Sequence, residues 1–455
     1  MLFTRWRIRR VSHISWQCRN LLVGALLSCC LLLLLSGCTS LFSNSAAQST
    51  LTKATPTPSP SSTPRPLTTD SEIAQALVQN MSLDQKLGQM VISEFYGSDL
   101  NSDLSQMIKS DGISGVLIEN ANGNAQTRSQ LINLNKAMQA KAAIPLFIST
   151  DFEGGLVNEL RLITGEQPSE SAIGATGDPL VAYNAGLKAA GDLKALGLNV
   201  NYMPIVDVLT NPNNPGLVDR TFGNNPTLVT NMGRAYLQGL TAGGVIGSLK
   251  HFPGLGSASV DPHKSLPYMN RSMSQMNAVD LVPYNTLISE GLVPMVMVTH
   301  ILNPQLDPKL PTSLSPNVVT NLLRNQLKFQ GVIISDTLWM GGISNTYSLS
   351  QAAVLAVNAG TNLILGPRGL AETTTMLAGL KKAVNAGAIS LDKINASARL
   401  ILEMKLHYKI LSHAQALEII RAESGTPTAQ SNSIHQPDIA LIADVKMRWP
   451  ALLHA

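Results

Sequence analysis

The chain has 455 residues, 44% of them apolar and 14% charged, which is enough apolar material to fill the core of one large domain or two ordinary ones. Its formal charge of +4 depends on five arginines within the first 19 residues; without them, 28 basic residues face 29 acidic ones. A nearly neutral body gives no electrostatic reason to expect a nucleic-acid partner.

Residues 1–37 have the features of a secretory signal. The five arginines precede an apolar run at residues 21–35, LLVGALLSCCLLLLL, and small residues follow it in LSGCTS. LSGC resembles a bacterial lipobox, which implies diacylation of Cys38 and cleavage before it. The run is short for a transmembrane span, and an uncleaved signal anchor is the alternative. Both interpretations place the body outside the cytoplasmic membrane, and the lipobox would anchor it to the outer face of that membrane.

Residues 38–70 form a predicted linker rich in Ser, Thr and Pro. Such a segment cannot bury enough apolar surface to offset the entropy lost on ordering, so an extended tether is expected. All four cysteines lie at or before position 38. The exported body therefore has no thiol for a disulfide or a metal cluster.

From Ser71 to about residue 415, short apolar runs alternate with helical patterns. The runs predicted to form strands are GVLIE (115–119), IPLFISTD (144–151), NVNYMPIVD (199–207), VIGSLKHF (245–252), MVMVTHI (295–301), GVIISD (331–336) and NLILG (362–366). Continuous apolar strands separated by helices indicate a parallel sheet covered on both faces. With an eighth strand near LGQMVISEF, the pattern predicts an α/β fold, a (β/α)8 TIM-type barrel forming one catalytic domain. A doubly wound open sheet is the alternative topology.

Five of these strands end in, or run directly into, ionisable side chains. They are Asp151 with Glu153, Asp207, Lys250 with His251, His300, and Asp336. Any one of them alone would be interpreted as a solvated turn residue. Barrel enzymes, however, assemble their active sites from the C-terminal ends of different strands, so five such ends together indicate an enzyme.

The residue inventory limits the chemistry. The sequence contains no HExxH zinc motif, no GxSxG nucleophile elbow and no glycine-rich phosphate loop that opens a helix. It therefore calls for no metal and no cofactor. Carboxylates and imidazoles around a pocket suit hydrolysis by a carboxylate nucleophile and a separate acid/base group.

Six segments occur in the order found in glycoside hydrolase family 3, and the chain resembles this family from about Ser71 to Leu411. The segments are MSLDQKLGQM (81–90), DFEGGLV (151–157), LGLNVNYMPIVDV (196–208), DRTFGNNP (219–226), KHFPGLGSASVDPH (250–263) and GVIISDTLWMGGI (331–343). The fifth has the form KHFPGxGxxxxDxH, which is typical of the β-N-acetylglucosaminidases of the family. The resemblance implies retaining hydrolysis of terminal, non-reducing β-N-acetylglucosamine from cell-wall or chitin-type oligosaccharides.

The resemblance also implies a catalytic set. Asp336 matches the nucleophile that forms a glycosyl-enzyme intermediate, and His263 matches the acid/base, with Asp261 as its orienting partner. A carboxylate beside an imidazole fixes the tautomer and favours the protonated form that a leaving-group acid needs. Since the dyad belongs to a loop, we expect that loop to close over the substrate.

Further positions match residues that hold the sugar hydroxyls and the acetamido group in the family: Asp151, Arg220, Lys250 and His251. His300 is interpreted in two ways, as a residue facing the same pocket or as a core histidine with satisfied hydrogen bonds. The remaining histidines of the body are assigned no role.

Four positions depart from the family pattern. Pro262 stands between the two loop residues where Ser or Thr is usual, and its ring restricts the loop backbone. Leu255 replaces a usual His, and Thr337 replaces a second Asp. Glu159 occupies the position of a sugar-binding Arg and reverses the charge there. We expect hydrolysis to be retained and these departures to bear on substrate preference.

Residues 416–455 resemble the opening helix of the second, α/β domain of longer family members. About forty residues cannot form that domain. The segment is predicted to be a vestigial extension or the product of a truncated reading frame.

Alternative functions remain open at the level of sequence. A phosphorylase of the same family would use phosphate in place of water, and a β-glucosidase or β-xylosidase is disfavoured by the DxH loop. A sugar-binding lipoprotein that has lost catalysis is the non-enzyme alternative, although all three catalytic residues are present. The predicted partners are a carbohydrate and, through Cys38, a membrane; no pattern sets the oligomeric state.

Overall fold

The computed structural model describes residues 67–423, so Cys38 and the predicted tail beyond residue 423 lie outside the described residues. Eight parallel strands form one sheet, and a hairpin of β4 and β5 follows β3. The strands are β1 (Val91–Glu94), β2 (Gly115–Ile118), β3 (Phe147–Thr150), β4 (Phe152–Gly154), β5 (Val157–Asn158), β6 (Val200–Asn201), β7 (Ile246–Phe252), β8 (Met295–Val298), β9 (Val332–Ser335) and β10 (Ile364–Arg368).

The sheet closes on itself. Its strand order is β10-β1-β2-β3-β6-β7-β8-β9, and the two ends meet through a parallel bridge between Ile334 and Leu363. The Ser335 amide also donates to the Leu363 carbonyl at 3.0 Å. This closure distinguishes a (β/α)8 barrel from an open doubly wound sheet, and the predicted barrel is confirmed. The eighth strand, near LGQMVISEF, is β1.

Helices surround the barrel. They are α1 (Asp70–Asn80), α2 (Leu83–Gly88), α3 (Ser102–Lys109), α4 (Arg128–Lys141), α5 (Arg161–Thr164), α6 (Glu170–Ala175), α7 (Pro179–Leu196), α8 (Pro226–Ala242), α9 (Met273–Ala278), α10 (Val282–Ser289), α11 (Gly341–Ser344), α12 (Leu349–Ala359), α13 (Gly369–Asn385), α14 (Leu391–His407) and α15 (His413–Glu423). A π-helix spans Asn317–Gln326 and a 3-10 turn spans Thr312–Leu314. Among residues 67–423, no helix combines the length and the apolarity needed to cross a membrane.

Local sequence explains where the helices begin and end. Asp178 accepts a hydrogen bond from the Leu180 amide at the start of α7, Pro179 occupies its first position, and Gly197 ends it at φ 86°. The same helix packs closely on α8. Gly239 of α8 permits this approach, since a Cβ at that position would lie 2.2 Å from the Tyr183 carbonyl oxygen of α7. Small residues therefore set the distance between these two helices.

One predicted strand differs from the structure. The run 199–207 contributes only Val200–Asn201 to the ladder, and Ile205 then makes an isolated bridge with Lys250. Pro204 lies between them and has no N–H to donate, so regular pairing stops there.

Lys405 of α14 is fully buried at the N-terminal end of the barrel. Its Nζ donates to Gln89 Oε1 and to the Ser114 carbonyl, both at 2.9 Å, and lies 4.9 Å from the centroid of the Phe147 ring. Burial lowers the pKa of Lys405 well below its ordinary value. These partners precede β1 and β2 and begin β3, so one side chain joins three strand starts. A separate apolar cluster of α1, α14 and α15 packs beside it.

Candidate active site

Asp336 directly follows β9, at the C-terminal end of the barrel. Its Oδ2 accepts from Thr299 Oγ1 at 3.0 Å, and its Oδ1 accepts from the Thr337 amide at 2.9 Å. Burial acts to raise the pKa of Asp336, but the neighbouring imidazoles of His300, His251 and His263 and the hydrogen bond from the Thr337 amide outweigh burial and lower it below its ordinary value. The carboxylate is therefore ionised and oriented near neutral pH.

Lys250 of β7 is the centre of a buried ionic network. Its Nζ contacts Asp151 Oδ1 and Glu153 Oε1, both at 2.5 Å. Glu153 in turn receives two hydrogen bonds from Arg220, from Nε at 2.7 Å and from Nη2 at 2.9 Å, while Nη1 donates to the Gly216 carbonyl at 2.6 Å. The network joins the segment after β3, the hairpin strand β4, the end of β7 and the loop before α8.

The charges in this network stabilise one another. Burial alone would raise the pKa of Glu153, but Arg220 and Lys250 lower it to about 2. Burial alone would lower the pKa of Lys250, and the carboxylates of Asp151 and Glu153 raise it instead. Glu153, Lys250 and Arg220 are thus held as ions, which is the arrangement that offsets the cost of burying charge.

His251 pairs with a carboxylate that lies deeper in the barrel. Its Nδ1 is 2.7 Å from Asp207 Oδ2, and the other oxygen of Asp207 accepts from the Leu255 amide at 2.6 Å. Asp207 is 1% exposed. With Nδ1 occupied, Nε2 is the ring atom left to meet a ligand.

Asp261 and His263 form a second, more exposed pair on the loop after β7. His263 Nδ1 is 2.7 Å from Asp261 Oδ1, and the His263 side chain is 53% exposed. Burial would raise the pKa of Asp261, but the hydrogen bonds and charge of His263 lower it. The loop is also fixed to the start of α11, since the Pro262 and His263 carbonyls each accept an amide hydrogen bond at 3.0 Å. The predicted dyad therefore lies beside the segment that follows Asp336.

His300 is completely buried after β8. Its Nδ1 is 2.7 Å from Ser313 Oγ, and its Nε2 is 3.0 Å from the Thr337 carbonyl. Burial lowers the pKa of His300, so the ring is neutral near pH 7, with Nε2 donating to the carbonyl. Both ring nitrogens are used inside the protein, as in a satisfied core histidine, while the ring remains close enough to influence Asp336.

The sequence profile of the glycosyl hydrolase family 3 N terminal domain matches residues 82–404. The chain belongs to glycosyl hydrolase family 3. The match covers more than two thirds of the chain and includes every candidate side chain described above. The chain is therefore a member of a family of glycoside hydrolases, as the six sequence segments predict.

Two relatives of similar sequence carry the name beta-hexosaminidase. The chain is 33% identical to beta-hexosaminidase A of Pseudoalteromonas piscicida over 384 residues, which is 78% of this chain and 62% of that protein. It is 34% identical over 269 residues to beta-hexosaminidase LpqI of Mycobacterium tuberculosis, covering 58% of this chain and 68% of the relative. The chain thus spans less than two thirds of the length of the first of these relatives.

A solved structure supports the same family. The glycoside hydrolase family 3 beta-N-acetylglucosaminidase from Paenibacillus sp. str. FPU-7 superimposes with a TM-score of 0.70 at 33% identity, covering 76% of this chain and 68% of that one.

The structure shows what two of the residues that depart from the family pattern, Leu255 and Thr337, contact. Leu255 is buried, and its amide supports Asp207, so the side chain contributes packing rather than a polar contact. Thr337 supports two site residues through its backbone, because its amide bonds Asp336 and its carbonyl bonds His300. The polar function at position 337 is therefore a main-chain one.

Glu159, the predicted departure from a sugar-binding Arg, lies near two carboxylates that sequence reasoning missed, Glu119 and Glu94. Its Oε2 accepts from the Asn120 amide at 2.7 Å, and burial raises its pKa. Burial, with the charge of Glu94 next in size, raises the pKa of neighbouring Glu119 to about 9. Asn122 Nδ2 bridges the pair, at 2.6 Å from Glu119 and 3.2 Å from Glu94. Both residues follow the pattern that identifies the other site residues, an ionisable side chain at a strand end: Glu119 ends the run GVLIE, and Glu94 ends β1.

Trp339 was also missed. It lies three residues after Asp336, and its indole Nε1 donates to Glu94 Oε1. Its ring centroid is 6.5 Å from that of His263, and the Arg368 guanidinium lies 5.5 Å from it on the ring face. The indole thus connects the exposed dyad with the end of β10. Among the described residues, no group of three or more His, Cys, Asp or Glu side chains is arranged to hold a metal ion.

Proposed function

We propose that the chain is a retaining β-N-acetylglucosaminidase that removes terminal, non-reducing N-acetylglucosamine from cell-wall or chitin-type oligosaccharides. The observation that carries the proposal is the Asp261–His263 dyad, whose loop is hydrogen-bonded to the segment that follows the ionised Asp336. The beta-hexosaminidase and β-N-acetylglucosaminidase relatives support the sugar preference.

In the first step, an Asp336 carboxylate oxygen attacks the anomeric carbon. The glycosidic C–O bond breaks, and His263 gives a proton to the departing oxygen. Because Asp261 occupies Nδ1, the proton comes from Nε2. The carboxylate of Asp261 stabilises the protonated imidazole before the step and fixes the ring. The products of this step are the free alcohol and a glycosyl ester of Asp336.

In the second step, water attacks the same carbon from the side that the leaving group vacated. His263 Nε2 takes a proton from that water, the ester bond to Asp336 breaks, and the sugar leaves with its original β configuration. The enzyme returns to an ionised Asp336 and a protonated His263. No group outside the chain other than water is needed.

Asp151, Lys250, Arg220 and His251 are proposed to hold the sugar. The ionic network of Lys250 fixes the first three in one arrangement before substrate arrives. Fixed charged donors and acceptors strengthen their hydrogen bonds as charge develops in the transition state. Glu153 is proposed as the buried counter-ion that keeps Lys250 and Arg220 in place.

The cellular address belongs to the same proposal. Export by residues 1–37, lipidation at Cys38, a linker over residues 38–70 and a barrel over residues 71–415 would place the enzyme on the outer face of the membrane. In that position it would meet cell-wall fragments. Labelling with a radioactive fatty acid, compared between the parent and Cys38→Ala, tests the anchor.

The activity is tested with the full chain and an aryl β-N-acetylglucosaminide. Asp336→Asn should lower kcat by about a thousandfold or more, since it removes the nucleophile. His263→Ala should lower kcat/KM by about 10²–10⁴-fold for substrates with poor leaving groups and by less for the aryl substrate. His413→Ala, whose ring pairs with Asp70 on α1, serves as the control. An unmutated chain that hydrolyses neither N-acetylated nor plain glycosides would refute the proposal.

The phosphorylase alternative is separated by the product. The same assay run with inorganic phosphate should still yield free N-acetylglucosamine. If a sugar 1-phosphate were the main product, the enzyme would be a phosphorylase and the proposal of hydrolysis would be wrong.

A further inference from the structure

A cleft of about 240 Å³ lies between the segment after β9 and the start of α13. Leu338, Trp339, Leu349, Arg368, Glu372 and Thr375 line it. None of these residues belongs to the network of Lys250 or to the two histidine–aspartate pairs. We refer to this space as the outer cleft.

We propose that the outer cleft is the binding site for the leaving-group sugar of the substrate, with Trp339 as its main contact. This inference rests on the proposed function, because it takes His263 as the proton donor. A group that leaves with a proton from His263 Nε2 must be bonded to an oxygen within hydrogen-bond distance of that atom. The His263 and Trp339 ring centroids are 6.5 Å apart, so a sugar bonded to that oxygen lies within reach of the indole.

The indole is fixed in position by its neighbours. Glu94 accepts its N–H, and Arg368 lies 5.5 Å from the ring centroid. Arg368 is fixed in turn by Glu372, with Nη2 to Oε1 at 2.7 Å. A side chain held by a hydrogen bond on its edge and a cation on its face loses little freedom when a ligand binds.

The lining of the outer cleft suits a pyranose. Leu349 and the indole offer apolar surface for the C–H face of a sugar ring, while Arg368, Glu372 and Thr375 offer hydrogen bonds to its hydroxyls. Its volume is below the roughly 300–1,000 Å³ of sites for drug-sized ligands, which limits the occupant to about one ring. Arg368 and Glu372 pair with each other, so the polar side has no excess charge, which favours a neutral sugar over an anionic or cationic group.

The test measures affinity without depending on turnover. In the full chain carrying Asp336→Asn, calorimetry compares a β-1,4-linked N-acetylglucosamine disaccharide with methyl β-N-acetylglucosaminide. Replacing Trp339 by Ala should lower the ratio of their affinities about tenfold, since only the disaccharide reaches the outer cleft. Trp339→Phe keeps a ring and loses the N–H, and it should lower the ratio by less than about threefold. Lys381→Ala removes a cation of α13 that pairs with Asp84 outside the cleft, and it should leave the ratio unchanged.

Each result decides the inference. An equal loss of affinity for both ligands in Trp339→Ala would make Trp339 a structural residue and overturn the subsite. No loss for either ligand, or no binding of the disaccharide by the parent, would also overturn it. The Asp336→Asn chain could show the expected affinity ratio although the unmutated chain hydrolyses neither glycoside. That result would refute the proposed function while supporting the subsite.

Discussion

The Gly341 amide donates a hydrogen bond to the His263 carbonyl at 3.0 Å, which attaches the loop of the proposed acid/base to the segment that follows the proposed nucleophile. The next amide, that of Gly342, makes the same bond to Pro262. A Cβ on Gly341 would lie 2.4 Å from the Lys264 carbonyl oxygen, so the loop approaches the backbone more closely than any other residue would permit. The relative position of the two proposed catalytic groups therefore depends on a glycine.

Gly341→Ala should displace this loop and lower kcat/KM for an aryl β-N-acetylglucosaminide by about tenfold to a hundredfold. The reason is that a shift of about 1 Å in a catalytic group can cost 10²-fold in rate. Steady-state kinetics of the full chain measure the effect. Gly191→Ala is the matched control, because a Cβ there meets no atom within 4 Å. Unchanged kinetics in Gly341→Ala would show that the loop works without this contact.

Glu153→Gln should lower the free energy of unfolding at pH 7 by about 3–5 kcal/mol, because it leaves Lys250 and Arg220 with an uncompensated buried charge. The pKa of Glu153 is lowered from its ordinary 4.5 to about 2. A lowered folded-state pKa stabilises the protein above pH 4.5, and that stability is lost as the pH falls from 4.5 towards 2.

Denaturant melts of the parent at pH 7, 4.5 and 3 should therefore show a loss of stability that is smaller in Glu153→Gln. Glu166→Gln, which alters an exposed carboxylate paired with Arg161, should follow the parent. Parallel pH curves for Glu153→Gln and the parent would contradict the prediction.

Glu119 should make the stability of the protein depend on pH in the opposite direction to Glu153. Its pKa is raised from 4.5 to about 9, so the folded state keeps a proton that the unfolded state releases above pH 4.5. Raising the pH across this window destabilises the parent. Glu119→Gln keeps the shape and a donor towards Glu94 but does not titrate, so its Tm relative to the parent should rise between pH 5 and pH 9. Calorimetry at several pH values checks this, with Glu403→Gln on the surface of α14 as control. A Tm difference that does not vary with pH would contradict a raised pKa of Glu119 in the folded state.

His300→Ala distinguishes the two interpretations of this histidine. Since both ring nitrogens bond within the protein, the variant should lose about 2–4 kcal/mol of stability. His300 also holds the Thr337 carbonyl, and the amide of the same residue orients Asp336, so kcat should fall more than KM rises. We expect His407→Ala, at the partly exposed end of α14, to leave kcat and KM unchanged and to cost less stability than His300→Ala. A KM raised tenfold or more with stability and kcat unchanged would instead make His300 a sugar ligand.

The barrel could be predicted from the sequence because its strands are continuous apolar runs separated by helical patterns. The predicted strand at residues 199–207 is too long, because its apolar residues continue past Pro204 although the regular β-ladder does not. The Asp261–His263 pair could be anticipated because its members are two residues apart in a recognisable loop.

The pairings between distant segments could not be anticipated. Glu153 meets Lys250 across 97 residues and Arg220 across 67, and no local pattern encodes that contact. The sequence pattern predicts Asp207 at a strand end, but its bond to His251 depends on the fold that brings the two residues together. Trp339 would pass for core packing in sequence, and only its distance to His263 shows that it borders the site.

Lys405 lies at the opposite end of the barrel from all these groups. Its Nζ contacts an amide oxygen, a carbonyl and an aromatic face, far from the proposed chemistry at the strand C-termini. In this fold the N-terminal end serves stability and the C-terminal end serves catalysis. The molecule thus has two ends that can be altered separately. A protein engineer could search the surroundings of Lys405 for heat resistance while the geometry on which turnover depends stays as it is.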